Sequence, residues 1–242
     1  MAELTSLYPL IFLTEGVFAL VIAFLILSKN PRFYLNRIFA LILASFFVYF
    51  LFESLIYFFH EDMMVANLFK DVSITGSFTS SYLFFLAGWF LVEGTTAVRK
   101  KLVLGMTFLW LFALLFSILD EYVMPITTEV EFGRTAGLGH LITYGLPLVL
   151  IVWGSFLIYS IIGEVDEATK TKLSLLLAGT YIIVLGIVYF ATFRFTGIQD
   201  WLGSVADLIG AILYSGGMLL LFYAFWREPS STQASGKEEE EG

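Results

Sequence analysis

Cysteine is absent from the 242-residue chain, and there are only two histidines. The first absence excludes disulfides, thiolate metal sites and a cysteine nucleophile. Charge is scarce as well. Asp, Glu, Lys and Arg make up 14% of the residues, where a soluble globular domain carries about 25%. Basic charge is the scarcer sign, with 13 Lys and Arg against 21 Asp and Glu and a formal net charge of −8. No basic patch is available to neutralise phosphates, so nucleic acid is excluded as a partner. Apolar character is what the chain has in abundance: 59% hydrophobic residues, 26 Phe and a mean hydropathy of +0.87. A chain of this composition would precipitate in water. It is predicted to be an integral membrane protein, which also excludes a soluble enzyme.

A helix needs about 20 mainly apolar residues to cross the hydrocarbon core. Seven stretches qualify, at about 8–27, 36–59, 68–92, 102–119, 139–162, 171–193 and 203–226. Runs such as 17–27 and 146–158 do not alternate in polarity, so a β-barrel is excluded. The predicted fold is all-α: a polytopic seven-transmembrane helix bundle over 1–227, followed by an acidic tail, 228–242, too polar and charged to fold. Orientation follows from the excess of Lys and Arg on cytoplasmic loops. Lys29, Arg32, Arg37, Arg99, Lys100, Lys101, Lys170, Lys172, Arg227 and Lys237 fall on one set of ends, and only Lys70, Arg134 and Arg194 on the other. The N-terminus is therefore predicted outside and the C-terminus inside, in a multi-pass protein of the cell membrane. This count treats Lys70 as an outer-end residue and leaves no Lys inside any span. The leader carries Glu3 and no positive stretch, so the first span reads as a reverse signal-anchor rather than a cleaved signal. The lipid bilayer is the first partner implied. The basic inner rim sets topology in its simplest reading, and in its functional one it meets anionic lipid or a protein partner.

Ionisable groups inside a membrane cost about 2.5–3.5 kcal/mol on insertion scales, so each needs a reason. Glu15, Glu53 and Asp207 lie inside spans. Counting 1.5 Å per residue puts all three roughly 6–10 Å below the outer surface, with Asp71 near the same level. On the second span Ser45, Tyr49, Glu53, Tyr57 and His60 share one helical face. The third span carries Ser73, Thr75, Ser77, Thr79, Ser80 and Ser81, a run too polar to face lipid, which predicts a central helix. Tyr214 follows Asp207 on its face of the seventh span, and His140, Tyr144, Tyr189 and Arg194 come from the fifth and sixth. Two readings compete. In one, Ser, Thr and Gly mediate helix packing and Arg194 pairs with Asp207 or Glu53. In the other, Glu15, Glu53, Asp71, Asp207, Tyr49, Tyr57, Tyr214 and Arg194 line an outward-facing pocket for an ion or small polar ligand, with Glu53 and Asp207 as its core. The Ser/Thr run favours packing and the three acids favour a site. His60 and His140 read as interfacial, with a metal role as their weaker alternative. Small residues at Ala206, Gly210, Ala211 and Ser215 mark a helix-contact face, within the bundle or in a homodimer.

Residues 28–43 read Ser-Lys-Asn-Pro-Arg-Phe-Tyr-Leu-Asn-Arg-Ile-Phe-Ala-Leu-Ile-Leu. This stretch resembles the loop joining the first two spans in the seven-helix N-terminal sensor module of prokaryotic histidine kinases. Asn30, Pro31, Asn36, Arg37, Phe39, Ala40 and Leu41 carry the likeness, and Glu131-Phe132-Gly133 in the long outer loop extends it. The resemblance covers about 10–226 and implies a sensory role. Members of that family usually continue into a kinase or cyclase, and no such output region follows the seventh span here. A cytoplasmic or membrane signalling partner is therefore expected. The predicted function is a receptor-like membrane sensory module. The alternative is a small cation- or proton-coupled transporter, or an accessory subunit of a larger membrane complex. No catalytic set is recognisable, so an enzyme is not expected. Retinal is excluded because 203–226 contains no Lys for a Schiff base, and no other cofactor is implied.

Overall fold

Polar residues at the ends of apolar runs decide where the helices begin. In the computed structural model, which describes residues 7–59, 61–94, 101–123, 138–196 and 204–226, there are seven helices and no strand among the described residues. They are α1 Leu7–Lys29, α2 Tyr34–Phe58, α3 Met63–Glu93, α4 Lys101–Val123, α5 Leu138–Ile161, α6 Glu167–Thr196 and α7 Ser204–Trp226. Six contain a stretch long and apolar enough to cross a membrane, and the described stretch of α5, Gly145–Ile161, is apolar but shorter. The protein is a helical membrane bundle. The tail at 228–242 and the Glu131-Phe132-Gly133 segment lie outside the described residues.

Two helices start earlier than predicted, because an Asp caps each. The Asp62 carboxylate accepts from the Met64 and Val65 amides at 3.1 and 3.2 Å, so α3 begins at residue 63 rather than about 68. Asp166 does the same for α6, accepting from the Ala168 and Thr169 amides at 3.0 Å and from the Thr169 hydroxyl at 2.6 Å. An Asp that accepts from the second and third amides satisfies donors the helix cannot. Burial inside the third span corrects the reading of Lys70 as an outer-end residue. It sits on the second turn, only 7% exposed, so a lysine does lie within a span. At the other end α3 stops at Gly94, whose φ of +64° only glycine adopts freely.

Thr169, through its hydroxyl and then its amide, holds the Asp166 carboxyl below the usual carboxylate range. A depressed value in the folded state stabilises above the unfolded value, near 3.9, and that contribution is lost as pH falls through the folded value. We expect the first turn of α6 to fray in acid. Amide exchange at Ala168 and Thr169 should rise on acidification relative to Asp166→Asn, which caps without titrating.

The helices form a ring. α1 packs on α2 and α7, α2 on α3, α3 on α5, α5 on α6, and α6 on α7; α4 leans on α3 and α5 from outside. Of the apolar stretch of α3, 61% is buried, against 17% for α4. The polar third helix is therefore the most buried of the six, where its Ser/Thr run predicts a central one. One core runs through α1, α2, α3, α5, α6 and α7, from Phe12 to Leu221. Glycines let backbones touch at Gly88 with Gly154 and at Gly179 with Gly217. One end of the ring is basic. There the Lys29 ammonium donates to the Phe225 and Trp226 carbonyls at 3.0 and 2.8 Å and lies 5.2 Å from the Trp226 ring centroid. At the opposite end the Ser54 hydroxyl donates to the Pro9 carbonyl at 2.7 Å.

Candidate functional site

Glu15 faces the joint between the first and last helices. It is 5% exposed, and the Ser215 hydroxyl of α7 donates to its Oε1. Its Oε2 is buried with no hydrogen-bond partner among the described residues. The neighbouring Gly16 brings α1 close to α2, since a Cβ there would lie 3.3 Å from the Phe50 Cβ. The Glu15 backbone is therefore level with Phe50. That ring is fully buried and meets the buried Tyr214 edge-on at 5.3 Å.

Glu53 lies about one turn further along α2. It is half-buried and accepts from the Ser73 hydroxyl of α3 at 2.8 Å. Asp71, 9% exposed, and Lys70 precede Ser73 on the same helix. Glu53, with Asp71 two residues before its partner Ser73, thus lies within about one turn of the Glu15 level. The acids occupy two joints: Glu15 between α1 and α7, Glu53 and Asp71 where α2 meets α3. Tyr49 and Tyr57 are half-buried against the core beside them.

Asp207 does not share that level. Its backbone is in the first turn of α7, eight residues before the Ser215 that meets Glu15, which is roughly 12 Å along the axis. The prediction of three acids at one depth is corrected to this extent. The side chains of Asp207, Arg194 and His140, and residue His60, lie outside the described residues. So do the predicted pairing of Arg194 and the histidine metal site. Among the described residues no group of three or more His, Asp and Glu is placed to hold a metal ion.

Two partners were within reach of sequence reasoning without being singled out as such. Ser215 and Ser73 each reach a carboxylate from another helix, and a small hydroxyl at the depth of an acid was the available signal. Three of the six hydroxyls of the Ser/Thr run turn inward on their own helix: Ser80 and Ser81 donate to the Ser77 carbonyl and Thr75 to that of Asp71. Ser73 instead reaches across to Glu53 of α2.

Toward the basic end the ring encloses an apolar cavity of about 30 Å³, lined by residues including Phe39, Leu43, Phe84, Ile151, Leu176 and Phe225. Its two polar residues, Ser80 and Thr180, spend their hydroxyls on carbonyls of their own helices. The bundle is therefore asymmetric, with buried carboxylates at one end and an apolar cavity toward the other. Comparison with protein-family models, with curated proteins and with solved structures gives no match to this chain.

Proposed function

We propose that this chain is a receptor-like membrane sensory module. In this reading it sits with its N-terminus outside, binds an ion or small polar ligand at the acids of the outer end, and passes the change to a separate partner at the basic inner end. The observation that carries the reading is Glu15. It is a buried carboxylate that closes the helix ring against Ser215 while one of its oxygens has no partner among the described residues. A cation or proton reaching that oxygen alters the α1–α7 joint directly. The same two helices meet again at the basic end through Lys29, so a change at one end has a path to the other. A ligand shifts such an equilibrium only by its difference in affinity for the two arrangements, and a half-satisfied carboxylate supplies that difference. The likeness of residues 28–43 to histidine-kinase sensor modules supports the same role.

A carrier needs polar groups on both sides of its site. The apolar cavity toward the basic end counts against that alternative. The test uses full-length protein in nanodiscs, titrated with Na⁺ and with protons, reading amide exchange over residues 222–226. We expect a saturable change that Glu15→Gln or Glu53→Gln shifts at least tenfold in midpoint, with Ser215→Ala acting in the same direction. An unchanged response in these variants overturns the reading. So does substrate-dependent uptake by proteoliposomes, which makes the protein a carrier.

A further inference from the structure

The loop between α1 and α2 is built more tightly than a connector needs. The Asn30 side chain accepts from the Arg32 and Phe33 amides at 3.2 Å, and Asn36 donates back to the Asn30 carbonyl at 3.1 Å. Arg37 donates through Nε to the Pro31 carbonyl at 2.6 Å. These bonds hold one guanidinium by its Nε and use neither of its terminal nitrogens. Arg37 is exposed, and among the described residues no carboxylate pairs with it. Residues 28–37 hold Lys29, Arg32 and Arg37 and no acid.

Arg37 also lines a groove of about 730 Å³ between α1 and α2, whose other walls include Leu20, Val21, Phe24, Leu41 and Ala44. Phe24 is 70% exposed and Leu41 54%, so the groove opens on the side that faces acyl chains. An apolar trough with one preorganised, unneutralised cation along it matches a lipid whose headgroup is negative. We infer that this groove is a binding site for an anionic phospholipid, one acyl chain lying between α1 and α2 and the phosphate held by the terminal nitrogens of Arg37. Charge complementarity selects the occupant: a zwitterionic lipid fills the trough equally well but leaves the guanidinium without net compensation. The inference needs the bundle to be in a bilayer and is independent of whether it senses anything.

The test compares phosphatidylglycerol with phosphatidylcholine of identical chains, added to the delipidated full chain in detergent and counted by native mass spectrometry. Wild type should hold one phosphatidylglycerol roughly fivefold more tightly, the worth of one cation near an anionic surface, and high salt should erase the difference. Arg37→Gln should level the two lipids while Arg37→Lys keeps part of the preference. Ala44→Trp, which fills the trough, should weaken both. A preference that survives Arg37→Gln, or binding indifferent to Ala44→Trp, overturns the site. A dimer cross-linked through Leu20 and Leu41 that added phosphatidylglycerol cannot displace also overturns it, by giving the groove to a second copy. If Arg37→Gln does not fold, Arg37→Lys and the salt dependence decide alone. Flat results in both overturn the inference without touching the sensory reading.

Discussion

Replacing Gly88 by valine is expected to destabilise the bundle by about 3 kcal/mol or to prevent its assembly, the upper end of what overpacking costs. A Cβ at Gly88 would stand 2.6 Å from the Gly154 carbonyl oxygen and 3.2 Å from that residue's Cα and carbonyl carbon. The opposite contact is as close: a Cβ on Gly154 would lie 2.9 Å from the Phe84 carbonyl oxygen and 3.0 Å from the Phe85 Cα. Both obstacles are backbone, so no side chain can turn aside to make room, and α3 and α5 must separate. Alanine at 88 should already cost about 2 kcal/mol by the same mechanism. The control is Gly105 on the peripheral α4, where an added Cβ meets nothing within 4 Å. Gly105→Ala should be neutral or stabilising by up to ~1 kcal/mol, since glycine inside a helix is the worse residue. Thermal or detergent unfolding of the three variants separates a steric effect from a general dislike of substitution. If Gly88→Val melts with wild type, the α3–α5 contact is not as close as described.

The second large effect is at Phe50. Its ring is fully buried and contacts come to it from three helices: Phe12 and Gly16 of α1, Phe46 and Tyr49 of α2, and Tyr214 of α7. Truncating a buried Phe to Ala costs about 3–5 kcal/mol in water-soluble proteins, part of it transfer and part cavity. In a bilayer the transfer part shrinks, because lipid tails are as apolar as the core. Phe50→Ala should therefore cost about 2–3 kcal/mol, most of it the void left where three helices meet. Phe50→Leu should recover about half. The void lies beside the joint that Glu15 and Ser215 close, so the variant should also raise amide exchange near Ser215. A loss confined to stability, with that joint unchanged, would show that Phe50 packs α1 on α2 without bracing α7.

The apolar spans were legible because bilayer thickness is a length that composition alone reports. Their polar ends were less so. Lys70 and Asp71 look like the edge of a span to any average over hydropathy, yet they are buried inside one, because protein rather than lipid surrounds them. Asp62 carried the missing information as a cap. Within α3 the density of hydroxyls was enough to predict a central helix, since lipid cannot satisfy them. The depth of Asp207 was misjudged for a different reason. Counting from the start of its own span ignores how α7 is offset against α1, and that offset is fixed by contacts such as Ser215 with Glu15, 200 positions apart. Helix offsets of this kind are properties of pairs and leave no local trace. The apolar cavity toward the basic end is likewise a property of several helices at once.

The bond from Lys29 to the carbonyls of Phe225 and Trp226 has a consequence for biosynthesis. The final carbonyls of a helix have no donor of their own, and here an ammonium from the end of the first helix serves them. While α7 is still on the ribosome, Lys29 and Glu15 have been inserted without the groups that satisfy them. α1 precedes α7 in the chain yet reaches its final surroundings only when α7 joins it. An assembly factor that shields the exposed flank of α1 during that interval would act on the same surface that α7 later covers.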